Sequence, residues 1–208
     1  MLKKLFSFGK KEAKAAPVPP TPSVPKWSEP TIPFLDYYAL HFHEMELDAA
    51  ERAVREHYLV QGEAGTPGAL LAKQGAWVTA YFPEKTVRGL GFNRQASFIA
   101  REQGTWVIGY RIYQGEGLDV HYFRSNEHVE QLAFSTEGIE FEPTDPELFA
   151  ALGDGSLVLP RSATQHPLDF HFALLAAIGI ADAALSWEEA LARHEAAALG
   201  DSRLLLFA

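Results

Sequence analysis

Four residues early in the sequence have the types and spacing that can hold a metal ion. His41 and His43 lie two apart in an alternating segment, so a strand there would place both side chains on one face. Glu44 follows directly, and His57 lies in the next segment. Imidazole nitrogens and carboxylate oxygens are ligands of zinc and related metals. The competing interpretation is that these are ordinary surface or core histidines, because no HExxH pattern is present.

Two further histidines have an aspartate two positions away. Asp119 and His121 would share one face of a predicted strand, whereas the helical spacing of Asp169 and His171 would turn them apart. Neither pair comes with a recognisable nucleophile, and the sequence contains no GxSxG, Walker or EF-hand pattern. Cysteine is absent, which excludes disulfides, thiolate zinc sites and cysteine nucleophiles. We therefore predict no catalytic residue and no cofactor, and we favour a protein that is not an enzyme.

Charge is divided unequally along the chain. Residues 1–26 contain six lysines and one glutamate, a net charge of +5, and the other twelve basic and 26 acidic side chains give the rest −14. The net charge of −9 is the sum of these two parts. So acidic a body argues against nucleic acid as a partner, because neutralising phosphates needs a basic face. The basic tail is typical of an interaction segment.

The first eleven residues form a basic amphipathic segment when they are placed on a helix. Apolar side chains fall on one side and lysines on the other. This pattern is typical of a helix that lies in a membrane interface over anionic headgroups. Docking on a partner protein and plain disorder are the alternatives. The residues predicted to contact a membrane or a partner are Leu2, Lys3, Lys4, Leu5, Phe6, Phe8, Lys10 and Lys11.

A linker rich in proline and alanine, residues 12–32, follows the amphipathic segment. This composition gives an extended, semi-rigid spacer without a core. The apolar run before it is far too short for a signal-peptide core or a transmembrane helix, so we expect a cytoplasmic protein, with peripheral membrane contact as an option. Residues 33–208 are predicted to form one globular domain, sheet-rich over 33–135 and helical over 136–208.

The body is predicted to belong to the α+β class. Strands are expected over residues 35–43, 69–73, 77–82 and 106–113, and helices over 48–60 and 92–102. The first helix would begin at a capping pattern formed by Asp48 and Glu51. This element order is the βαββαβ order of ferredoxin-like folds, an antiparallel sheet with both helices on one face. A β-meander over 117–123 and 129–134 would extend the sheet.

The last third of the chain is predicted to be helical. One short helix would begin at Asp145, a second would run from Pro167 to Gly179, and a third would begin at a capping box of Ser186 and Glu189. The apolar residues 204–207 would either pack onto the body or serve as a docking strand.

Two segments of the body resemble each other. Residues 74–81 and 103–110 are identical at five of eight positions, at a spacing of 29 residues. A vestigial duplication and a chance match of two aromatic strands both account for this. The aromatic residues of these and the following strand are expected to pack in the core rather than to stack on nucleobases. They are Trp77, Tyr81, Trp106, Tyr110, Tyr113 and Tyr122.

The sequence supports three functional hypotheses. The favoured one is a non-enzymatic interaction or adaptor module, tethered to a membrane surface or a protein partner by its basic segment. The second is a soluble acidic regulatory or immunity-type protein that covers a basic partner electrostatically. The third is a metal-dependent hydrolase that uses His41, His43, Glu44 and His57. A ferredoxin-like order does not choose among them, because that fold hosts many activities.

Overall fold

A computed structural model describes residues 37–87, 91–113, 117–125, 127–135, 138–141 and 166–208 of the chain. The amphipathic segment, the linker and the helix predicted at Asp145 lie outside the described residues. The strands are β1 (Tyr37–His43), β2 (Pro67–Gln74), β3 (Trp77–Tyr81), β4 (Trp106–Tyr113), β5 (Gly117–Arg124), β6 (Glu127–Ser135), β7 (Gly138–Phe141) and β8 (Ser202–Leu206). The helices are α1 (Leu47–His57), α2 (Glu84–Val87), α3 (Phe92–Gln103), α4 (Pro167–Ala177) and α5 (Trp187–Glu195).

The eight described strands form one sheet in the order β7-β6-β5-β4-β1-β3-β2-β8, and each neighbouring pair is antiparallel. The predicted α+β class and antiparallel sheet are confirmed. Neither α2 nor β7 was predicted, and each is only four residues long. No helix in the described ranges has the length and apolar character to cross a bilayer.

Helices α1 and α3 cover one face of the sheet. Leu40 and Phe42 of β1 point to this face, where they join one buried cluster with Val54 of α1 and Ile99 of α3. Helix α3 comes close to β4 because the strand carries Gly109 at the contact. A Cβ at this glycine would lie 3.2 Å from Leu40 Cδ2, 3.3 Å from Asn93 Oδ1 and 3.4 Å from Ala96 Cβ.

Helices α4 and α5 lie against the opposite face, over side chains that include Tyr37 and Ala39 of β1. Helix α4 has a proline in its first turn, and α5 begins at the predicted capping box. The Ser186 hydroxyl accepts a hydrogen bond from Glu189 N at 3.2 Å, and the Glu189 carboxylate accepts one from Ser186 N at 2.9 Å. This prediction from the sequence is confirmed.

The capping pattern predicted for α1 is wrong. The residue that precedes the helix is Glu46, and its side chain makes no capping hydrogen bond. Asp48 and Glu51 lie inside the helix, where both carboxylates accept hydrogen bonds from the Arg203 guanidinium of β8, at 2.8 and 2.5 Å. Acidic residues at this spacing can cap a helix or can bind an arginine that is distant in sequence. The sequence alone does not distinguish these two roles.

The connection between α4 and α5 is fastened to the sheet by three aromatic side chains. Trp77 Nε1 donates a hydrogen bond to the Ile178 carbonyl at 2.8 Å. The hydroxyl of Tyr81 donates to the Asp182 carbonyl at 2.8 Å, and that of Tyr110 donates to the Ala183 carbonyl. These bonds join the helical layer to β3 and β4, the two strands that flank β1.

The two similar segments of the sequence form those two flanking strands. Ala39 of β1 pairs with Tyr81 on one side and with Tyr110 on the other. The matched tyrosines therefore lie in one row across a small residue, and both donate to carbonyls of the same connection. The tyrosine that the two segments share therefore has the same structural role in both strands, whether the similarity arose by duplication or by chance.

The apolar residues near position 205 pack onto the body, which is one of the two predicted alternatives. Strand β8 pairs with β2 at the sheet edge, and Phe207 behind it is 6% exposed. Two glycines leave room for its ring. A Cβ on Gly62 would lie 2.4 Å from ring carbons of Phe207, and one on Gly68 would lie 3.1 Å from the same ring and 2.7 Å from Leu59 Cδ2.

We expect Gly62→Ala to lower the free energy of unfolding by about 2 kcal/mol, because the new methyl overlaps the Phe207 ring. Urea denaturation of the full chain measures this. In a Phe207→Leu background the same substitution should cost clearly less, since the overlapping ring atoms are gone. An equal cost in both backgrounds would contradict the assigned contact.

Candidate functional site

The first two histidines of the predicted metal site lie side by side on β1, facing the α4 layer. His41 is fully buried, its Nδ1 lies 2.9 Å from Thr79 Oγ1, and its ring stacks on Tyr110 with centroids 5.4 Å apart. The ring of His43 packs against Trp77, with centroids 4.7 Å apart. Aromatic neighbours rather than carboxylates therefore surround these two rings in the described part of the chain.

The other two members of that predicted set lie elsewhere. Glu44 is exposed, in a turn with φ of 52°, and His57 lies on α1, in the layer on the other side of the sheet. The structure therefore does not bring the four residues into one cluster. The spacing in sequence placed His41 and His43 on a common face, but it contained no information on which layer α1 would occupy.

A second buried histidine meets His41 across the ring of Tyr110. His171 of α4 is fully buried, and its ring makes an edge contact with Tyr110 at 5.2 Å between centroids. Among the described residues, no hydrogen-bond partner is found for Nε2 of His41 or for either ring nitrogen of His171. Burial lowers the pKa of His41 to about 3, with a further lowering from His171, and burial lowers the pKa of His171 to about 3. Both rings are therefore neutral at physiological pH.

The densest polar network in the described residues surrounds Asp119 of β5, on the sheet face that carries α3. Its Oδ2 accepts hydrogen bonds from Asn93 at 3.1 Å and from Arg111 Nε at 3.0 Å. Its Oδ1 accepts one from Gln131 at 3.1 Å and lies 2.9 Å from His121 Nε2. Each of the four elements α3, β4, β5 and β6 thus contributes one side chain that contacts this carboxylate.

Asp119 acts in this network as a fixed anion. Burial alone would raise the pKa of its carboxyl, but the hydrogen bond and charge of His121, the charge of Arg111 and the hydrogen bond from Gln131 together lower it below 3.8. A carboxylate that stays ionised and accepts four donors does not supply a proton at neutral pH. It orients His121 and Arg111 instead, and their side chains are 17% and 38% exposed.

Only part of the Asp119 network was predicted from the sequence. The two-residue spacing correctly placed Asp119 and His121 on one face of a strand. Arg111, Asn93 and Gln131 were missed, because they come from other elements and no local pattern links them to Asp119. The signal that could have found Arg111 is the hairpin between β4 and β5, which pairs it directly with Asp119.

Comparison of the chain with family models, with curated proteins and with solved structures finds no match. The candidate sites are therefore interpreted from their own geometry and chemistry.

Proposed function

We propose that this protein is a non-enzymatic interaction module, tethered to anionic membrane surfaces by its basic amphipathic segment. The single observation that carries the proposal is the division of charge, +5 over residues 1–26 and −14 over the rest. An anionic surface attracts the lysines of the first eleven residues and repels the body. The proline-rich linker, residues 12–32, then keeps the body at a distance from that surface.

The Asp119 network is the surface that we assign to partner recognition. Its carboxylate is saturated by donors, which suits a site that holds its shape rather than one that transfers protons. The side chains of Arg111 and His121 lie beside it and are 38% and 17% exposed. A rigid polar cluster at the edge of solvent is the kind of surface that partner proteins contact.

We further propose that β1 to β4, with α1 and α3, form a ferredoxin-like unit to which the remaining elements are added. The strand order β4-β1-β3-β2 and the antiparallel pairing support this proposal. So does the shared buried cluster that places α1 and α3 on one face.

The tether is tested by co-sedimentation of the full-length protein with vesicles of phosphatidylcholine containing a quarter phosphatidylserine. We expect sedimentation at low salt that falls as salt is raised, because each lysine contributes about 1 kcal/mol near an anionic surface. Changing Lys3, Lys4, Lys10 and Lys11 to Gln should abolish it.

A matched variant separates charge from apolar insertion. Replacing Leu5, Phe6 and Phe8 by Ser keeps every lysine and should also reduce sedimentation, but by removing buried apolar area. Vesicles of phosphatidylcholine alone serve as the control. Sedimentation that is absent in the unmodified protein, or equal in the lysine variant, would overturn the membrane tether and favour a protein surface as its target.

A further inference from the structure

A third cluster of titratable side chains lies where α1 and α3 end side by side. Glu56 and His57 belong to the last turn of α1, and Glu102 lies in the last turn of α3. One ligand atom from each of the three residues lies within 4.8 Å of the others. Nε2 of His57 is 2.9 Å from Oε2 of Glu102. The contact joins two helices, and its residues His57 and Glu102 are 45 positions apart in the sequence.

The His57 ring is held in one orientation from two sides. Its side chain is 15% exposed, and the ring packs near Phe98, with centroids 6.4 Å apart. Its second nitrogen, Nδ1, lies 3.3 Å from Oε1 of Gln95. In the tautomer that carries its proton on Nδ1, the ring donates to this amide oxygen, as the second nitrogen of metal-binding histidines commonly does to a carbonyl or carboxylate oxygen.

In that tautomer the neutral ring directs the lone pair of Nε2 at the Glu102 carboxylate. In the other neutral tautomer Nε2–H donates to Oε2 of Glu102, 2.9 Å away, so the ring can serve either as a donor to Glu102 or as a nitrogen ligand beside it. Glu56 brings a second carboxylate to the same point. One nitrogen and two carboxylate oxygens therefore converge within 4.8 Å of one another, which is the geometry of a three-residue metal site.

We propose that Glu56, His57 and Glu102 bind one divalent transition-metal ion, with Gln95 as the positioning residue for His57. One imidazole and two carboxylates form a mixed nitrogen and oxygen donor set that suits Zn²⁺, Mn²⁺, Fe²⁺ and Co²⁺ rather than the soft Cu⁺. Because Glu102 is 44% exposed, water completes the coordination. The ion fastens the end of α1 to the end of α3 and stabilises the folded chain by binding to it preferentially.

The site is tested with the full-length protein after treatment with a chelator. Isothermal titration with Zn²⁺ should give one site, and Zn²⁺ should raise the Tm. His57→Gln and Glu56→Gln should each weaken Zn²⁺ binding more than about tenfold, and Gln95→Leu should weaken it by about 10- to 100-fold through the lost support of His57. Glu56 is exposed, so its variant is expected to fold. Circular dichroism checks each variant.

His194→Gln is the matched control, because it removes a histidine at the surface of α5, beside Ser202 and away from α1 and α3. Its Zn²⁺ affinity should equal that of the unmodified protein. Zn²⁺ binding that is absent up to millimolar concentration would overturn the proposal and leave the contact between His57 and Glu102 as a hydrogen bond between two helices. Binding of equal strength in folded Glu56→Gln and His57→Gln proteins would overturn it as well, by placing the ion elsewhere on the chain.

Discussion

Lowering the pH from 6.5 to 4.5 is expected to reduce the free energy of unfolding by about 4 kcal/mol, a large part of the 5–15 kcal/mol typical of a domain. The cause is the pair of buried imidazoles, His41 and His171. Burial lowers the pKa of each to about 3, against 6.5 for an exposed histidine. Below pH 6.5 the unfolded chain takes up two protons that the folded chain excludes, so stability falls with pH until about pH 3.

The groups around these rings do not offset that loss. Thr79, Tyr110 and Phe172 are neutral neighbours, and no carboxylate is found in contact with either ring among the described residues. Asp119 and Glu51, whose carboxyl pKa values are lowered, begin to lose their contributions at the acid end of this range and lose most of them below it, so they add to the fall in stability. A charge on one imidazole also disfavours a charge on the other.

Denaturation in urea at a series of pH values measures the effect. His171→Phe keeps an aromatic ring beside Tyr110 and should halve the slope of unfolding free energy against pH, from about two protons to about one. Ile108→Val is the control, since it lies opposite His41 and should cost about 1 kcal/mol at every pH without altering the slope. A slope below one proton in the unmodified protein would show that the rings are not held neutral.

Trp77→Ala is expected to reduce the free energy of unfolding by about 4 kcal/mol, the other large effect predicted here. The ring is 2% exposed and packs on His43, and its Nε1 donates to the Ile178 carbonyl. The substitution leaves a cavity and a buried carbonyl without its donor. It therefore loosens the α4 layer from the sheet as well as emptying part of the core.

Trp77→Phe separates the two contributions. It keeps most of the buried ring but removes the donor, and it should cost about 1–2 kcal/mol. Thermal and urea unfolding by circular dichroism measure both variants. If Trp77→Phe had no cost, the hydrogen bond to Ile178 would not be an attachment point of the helical layer.

Prediction from sequence succeeded where the signal was local. Three such signals each lie within a single element, and each led to a correct prediction. They are the alternation of β1 and β4, the helical spacing of α3 and the Ser186–Glu189 capping box. The cap assigned to Asp48 failed because a distant side chain, Arg203, uses the same carboxylate. Short elements such as α2 have too few residues to show a period.

For the candidate sites too, contacts within one element were predicted and contacts between elements were missed. Two members of the Asp119 network were paired from their spacing on one strand, whereas Arg111 needed the register of β4 against β5. The separation of His41 from His57 depended on which face α1 would cover, and the meeting of His57 with Glu102 depended on the packing of two helices. Such contacts are set by tertiary packing rather than by the residues nearby in sequence.

The position of β1 at the centre of the sheet has a consequence for how the chain folds during synthesis. The first described strand pairs with β3 and β4, which the ribosome produces later, and β2 gains its outer neighbour only with β8. Until β4 emerges, this central strand has one hydrogen-bonding edge without its partner. Such non-local pairing slows folding and exposes strand edges to aggregation. Newly made chains should therefore depend on chaperones more than a helical protein of equal length does.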